Sequence, residues 1–162
     1  MKYDIKAHPT NYAGVTFRSR LEARWAAMFD LIGWSWEYEP IDLNGWTPDF
    51  RVHWDCHHSE CPEGHTLLIE VKPYYSVNEF HNHPCMKYPF GNDYSGPGGT
   101  YNDNDGHYIP ADASAAFGIN PNVTQWQMVH GSGGGVYELS DWVNGNLDAL
   151  WKIAGEKVQY HP

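Results

Sequence analysis

An α/β domain with a central mixed sheet flanked by helices is the fold class predicted, on three observations. Residues 17–33 carry Leu21, Trp25, Met28, Phe29 and Ile32 in the apolar stripe of an amphipathic helix that stops at Gly33. Three strand-like runs follow at 34–40, 49–54 and 66–72. A second stripe, Leu147, Leu150, Trp151 and Ala154, predicts a last helix at about 145–153.

Each run has its own reason. Trp34, Trp36 and Tyr38 alternate with polar residues until Pro40 ends the strand. In the second run Phe50, Val52 and Trp54 share one face and Asp49, Arg51 and His53 the other. The third, Thr66-Leu-Leu-Ile-Glu-Val-Lys72, is mostly apolar, as a strand central in a sheet would be. Residues 88–109, rich in Gly, Asn, Asp and Tyr, read as a long loop. Residues 111–118 (ADASAAFG) suggest a short helix and 125–130 (QWQMVH) a strand. The GSGGG run at 131–135 reads as a flexible turn, because it lacks the Lys and Ser/Thr of a phosphate-binding loop.

The chain has 162 residues, the size of one ordinary domain. Its first residues lack the apolar segment of a signal peptide, and no run approaches a membrane span of about 18 apolar residues. Three cysteines is an odd count that argues against a closed disulfide framework, so a cytoplasmic protein is expected. The net charge of −10 argues against a polyanionic partner, yet residues 1–24 carry +3 and the remainder −13. Lys2, Lys6, Arg18, Arg20 and Arg24 stand there against Asp4 and Glu22, so a nucleic acid would dock near that end. A solvated basic helix face is the other reading of the same charges.

Side chains alternate along a strand, so Glu70 and Lys72 emerge on one face about 7 Å apart while Val71 points into the core. If the second and third strands pair antiparallel, Asp49 at the start of one lies close to Glu70 near the end of the other. Carboxylates held this way suit a hard divalent cation, and with it phosphodiester hydrolysis.

Trp46-Thr-Pro-Asp49 followed by Ile69-Glu-Val-Lys72-Pro resembles the PD-(D/E)XK, or restriction-endonuclease-like, nuclease superfamily. The stretch Tyr12-Ala-Gly-Val-Thr-Phe-Arg-Ser-Arg-Leu-Glu22-Ala-Arg-Trp and then Trp36-Glu-Tyr-Glu-Pro40 is similar in order and spacing to small phage and bacterial members. Residues 120–126 and 157–160 are similar to the same group more loosely. The resemblance implies an αβββαβ core in a single domain spanning 1–162, with a catalytic half at about 12–75. It implies DNA cleavage with magnesium or manganese in a bacterial or phage-infected cell. Carried over residue by residue, it makes Asp49 and Glu70 metal ligands, with the Val71 carbonyl a further oxygen. Lys72 would activate water and stabilise charge on the phosphate, and Glu22 would face the metal site. Arg18, Arg20 and Arg24 would meet the nucleic acid. Glu22 also follows Ser19 at capping-box spacing, so a purely local role is open to it. Duplex, branched and single-stranded DNA and RNA all stay open as substrates, and cutting both strands of a duplex would suit a homodimer. Eight tryptophans and eleven tyrosines offer stacking platforms for bases, although most are expected in the core.

A Cys/His-rich insertion at about 53–86 holds all three cysteines and six of the ten histidines. Thiolate and imidazole are zinc ligands, and the expected set is Cys56, Cys61, His83 and Cys85, with His58 or His65 as substitutes. At about 3.3 Å per residue such a site stands roughly 15–20 Å from Asp49 and Glu70, which makes the zinc structural. Free cysteines with surface histidines are the alternative. For the whole chain the rival is an acidic binding protein on a nuclease-like fold, such as a phage factor that blocks a host defence protein by presenting a DNA-like surface.

Overall fold

The computed structural model describes residues 8–43, 45–86, 100–102, 105 and 108–159. Lys2, Asp4, Lys6, Tyr160 and most of the expected 88–109 loop lie outside them. A hairpin of β1 (Thr10–Tyr12) and β2 (Val15–Phe17) comes first, turning at Ala13 and Gly14 with φ of 51° and 78°. Helix α1 (Arg20–Ile32) starts at Ser19, whose hydroxyl accepts the Glu22 N–H, and ends at Gly33 in the left-handed region. Then come β3 (Ser35–Tyr38), β4 (Phe50–Trp54) and β5 (His65–Val71), each within about a residue or two of its expected bounds. β6 (Thr100–Asn102) pairs with β7 (Tyr108–Pro110) as a separate small ribbon. The chain continues through β8 (Ala113–Phe117), β9 (Thr124–His130), β10 (Gly133–Tyr137) and α2 (Leu147–Lys157).

Six strands form one mixed sheet in the order β10-β9-β8-β5-β4-β3, in which β5 and β8 are parallel and the other neighbours antiparallel. Alternation along each strand divides the sheet into two faces. Phe50, Val52 and Trp54 of β4, and Leu67, Ile69 and Val71 of β5, pack with α1 and α2 in the larger core. Trp25 of α1 meets Phe117 at 4.8 Å and Trp151 of α2 at 4.6 Å, and Trp34 stacks on Trp54 at 4.0 Å. Leu68, Ala116, Phe80 and Cys85 form a smaller core on the other face, beneath 3-10 turns at Val77–Phe80 and Pro84–Met86. Six of the eight tryptophans are buried, so the expected division in favour of the core holds for them.

Three expectations about layout are corrected. Residues 111–118 are not helical: β8 lies between β5 and β9 with all five residues buried, and small side chains let the Cys85 turn approach closely enough for Ser114 Oγ to donate to Cys85 O at 2.7 Å. Tertiary burial here overrides the helix propensity of alanine. The glycine run is a strand beyond Ser132, because pairing with Trp126–His130 supplies its backbone hydrogen bonds. The two α-helices among the described residues do not flank the sheet, since α1 and α2 share one face. Among the described residues between β5 and β8 there are 3-10 turns and the β6–β7 ribbon, but no α-helix.

Candidate functional site

Where β4 begins and β5 ends, three buried carboxylates converge: Glu22, Asp49 and Glu70 are 7%, 3% and 6% exposed. The antiparallel β4–β5 register brings this about, with Asp49 N–H donating to Ile69 O at 2.9 Å. Asp49 Oδ2 accepts the Val71 N–H at 2.8 Å, and Oδ1 accepts from Arg18 Nη2 at 2.7 Å. Glu70 and Lys72 share the face opposite α1, with Lys72 Nζ 3.4 Å from Glu70 Oε1. Trp46 Nε1 donates to Glu70 Oε2 at 2.9 Å. His83 Nε2 stands 3.4 Å from Oε1, while its Nδ1 accepts the Cys85 N–H at 3.0 Å, which leaves the ring proton on Nε2 facing the carboxylate.

Glu22 makes local contacts at the start of α1 and also borders Asp49. Its backbone N–H and its Oε1 both bond to the Ser19 hydroxyl, at 3.1 and 2.8 Å, while Oε2 accepts from Tyr38 OH at 2.6 Å. Its charge also helps to raise the pKa of Asp49. Burial comes first in that rise, and with the neighbouring Glu70 it pushes the Asp49 carboxyl up to about 7 against the opposing Val71 N–H and Arg18. Burial acts on Glu70 too, but the hydrogen bonds from His83 and Trp46 outweigh it and hold that carboxyl below its ordinary value. The two carboxyls therefore move in opposite directions, Asp49 up and Glu70 down.

Arg18 joins the site. Its Nε lies 2.8 Å from Glu39 Oε1 and its Nη2 3.8 Å from Glu22 Oε2, while its side chain stays largely exposed. The Tyr38 hydroxyl, accepting from Arg18 Nε at 3.3 Å, is the main cause that raises the pKa of this always-charged guanidinium still further. Glu39 adopts a φ of 46°, a conformation non-glycine residues rarely take, next to a site it helps to shape. Arg20 is exposed in the first turn of α1. Arg24 points elsewhere: Nε and Nη2 donate to Trp151 O at 3.0 and 2.7 Å, and the guanidinium lies 4.1 Å over the Trp151 ring. The expected phosphate contact of Arg24 gives way to a clamp between α1 and α2.

At the other end of β4 and β5, Cys56, Cys61, His65 and His130 bring their ligand atoms within 4.8 Å of one another, a group that could hold a metal ion. This corrects the expected ligand set. His83 faces Glu70, and Cys85 is buried in the smaller core, its thiol pushed well above the ordinary range by burial and by the charges of Glu70 and Asp49. His65, named only as a substitute, is a member, and His130 arrives from β9. The only sequence signal for His130 was a histidine ending a strand; its partner 65 residues away becomes a neighbour through strand order. All three cysteines are free. Trp46, Tyr38 and Glu39 were not expected beside the carboxylates, and His83 was expected at the zinc instead, because these places depend on how strands and loops assemble over the sheet.

Comparison with family models, curated proteins and solved structures gives no match. Among the described residues no helix is long and apolar enough to cross a membrane.

Proposed function

We propose that this chain is a metal-dependent endonuclease of the PD-(D/E)XK kind that hydrolyses phosphodiester bonds in DNA. The observation that carries this reading is the meeting of buried Asp49 and Glu70 with Lys72 at one end of an antiparallel strand pair that follows a helix. The donor set fits a hard cation: oxygen ligands on strands, crowded enough that burial and mutual repulsion raise the pKa of Asp49. Magnesium or manganese, when bound, polarises a phosphoryl oxygen and makes a water acidic enough to attack.

Asp49 and Glu70 would hold the ion, with the Val71 carbonyl as a further oxygen. The Val71 and Trp46 N–H groups fix the two carboxylates in place, and His83 orients Glu70. Lys72 sets an ammonium beside Glu70, where it offsets charge developing on the phosphate. Arg18 and Arg20, both exposed, supply cations for the backbone on either side of Ser19. The Cys/His cluster takes no part in this step. Among the described residues the layout departs from αβββαβ after β5, where 3-10 turns and the β6–β7 ribbon precede β8, and the helix-strand-strand-strand half carries the chemistry by itself.

Supercoiled plasmid, branched DNA and single strands incubated with magnesium or manganese test the proposal. Native protein should cut at least one of them, and Glu70→Gln and Lys72→Ala, each folded by circular dichroism, should cut at least ~100-fold more slowly. Absence of metal-dependent cutting of every substrate by the folded native chain would favour the acidic binding protein instead.

A further inference from the structure

We propose that Cys56, Cys61, His65 and His130 form a closed Cys2His2 zinc site that clips the β4–β5 loop to the end of β9. The inference stands apart from the nuclease reading, because it rests on a different end of the sheet. Zinc bonds of about 2.3 Å to sulfur and about 2.0–2.1 Å to nitrogen, at tetrahedral angles, set two nitrogens about 3.3 Å apart and a nitrogen and a sulfur about 3.5 Å apart. His65 Nε2 lies 3.0 Å from His130 Nδ1, and Cys61 Sγ lies 3.5 Å from the same nitrogen. Three ligand atoms thus already show two of the separations that the polyhedron requires, and Cys56 Sγ lies within 4.8 Å of each of them. Two soft sulfurs and two imidazoles select zinc over the hard cations that suit Asp49 and Glu70.

The surroundings fit that ion. His65 is buried, and its Nδ1 has no hydrogen-bond partner among the described residues; Asp112 Oδ2 lies 3.8 Å away, itself fixed by the Thr66 N–H at 2.6 Å. Ligation through Nε2 puts the proton on Nδ1 and aims it at this carboxylate, the usual outer partner of a zinc-bound histidine. The Gly131 N–H points at Cys61 Sγ from 3.2 Å, a donor suited to a thiolate. Trp142 packs on both histidines, with ring centroids 5.3 and 4.9 Å away, and shields the ligands from water. Four protein ligands leave no position for a substrate, so the zinc is structural. It spans the end of β8, fastening the loop between β4 and β5 to β9, which neighbours neither of those strands in the sheet.

Full-length protein purified from zinc-supplemented medium and dialysed without chelator should carry about one zinc per chain by mass spectrometry. Cobalt substituted for zinc should show thiolate-to-cobalt charge transfer and the absorption bands of a tetrahedral site. Cys61→Ser and His130→Asn should lower zinc content at least ~10-fold, whereas Cys85→Ser and His83→Asn should retain it. A folded native chain that holds neither zinc nor cobalt would overturn the site. Full retention of zinc by His130→Asn, or its loss in Cys85→Ser, would overturn this ligand set. Should the Cys61 and His130 variants not fold, the native cobalt spectrum decides: without thiolate charge transfer the assignment fails.

Discussion

Replacing Asp49 by asparagine removes one titratable carboxyl from the site while keeping its shape. Burial, and then the Glu70 charge, move the Asp49 carboxyl from its ordinary 3.8 to about 7. Over that interval the folded chain holds a proton that the unfolded chain has lost. Stability from this group is therefore fully present below the ordinary value and is lost as pH rises through about 7. Between about pH 5.5 and about pH 8.5 the linkage amounts to a loss of about 2 kcal/mol in the native protein, absent from Asp49→Asn. The Arg18 ion pair forms only where Asp49 is ionised, so its contribution is already part of the Asp49 shift and of the same pH-dependent difference. The comparison of differences isolates Asp49. Urea unfolding at the two pH values, with magnesium omitted and no chelator to strip the Cys/His cluster, reads the effect. For a chain of this size the same loss corresponds to roughly 4–8 °C in Tm. Equal losses of stability in native and variant protein would refute the argument that Asp49 is held in a crowded, buried site.

Two further substitutions test the positions of residues read differently before the structure. Arg24→Ala removes two hydrogen bonds to Trp151 O and the guanidinium over its ring, and should lower unfolding stability by about 1–3 kcal/mol while leaving the salt dependence of DNA binding unchanged. A shallower salt slope in that variant would return Arg24 to the phosphate backbone. Gly64→Ala places a Cβ against the Trp54 carbonyl oxygen at a φ of 71°, and should cost at least about 2 kcal/mol in urea unfolding; an unchanged midpoint would mean that the turn before β5 is free to relax.

What was legible in the sequence was local periodicity and what it places on one face. Ser19 and Gly33 bound α1, alternation marks β3 and β4, and the apolar β5 carries Glu70 and Lys72 on the side opposite Val71. Antiparallel pairing of two adjacent strands is the simplest closure for a loop of that length, so the approach of Asp49 to Glu70 followed from the sequence as well. The residues that tune the pair did not. Trp46 and His83 reach Glu70 from segments whose path over the sheet has no periodic signal.

By itself, then, the sequence determined the helix-and-three-strand half, its carboxylates and lysine, and the presence of a thiol and imidazole cluster. Tertiary structure alone decided that residues 113–117 are a strand, that both helices share a face, and that His65 and His130 replace His83 and Cys85 among the candidate ligands. The physical reason is the same in each case. Side-chain alternation is set by neighbours along the chain, whereas burial between two strands, and the meeting of ligands 65 residues apart, depend on the order in which strands assemble.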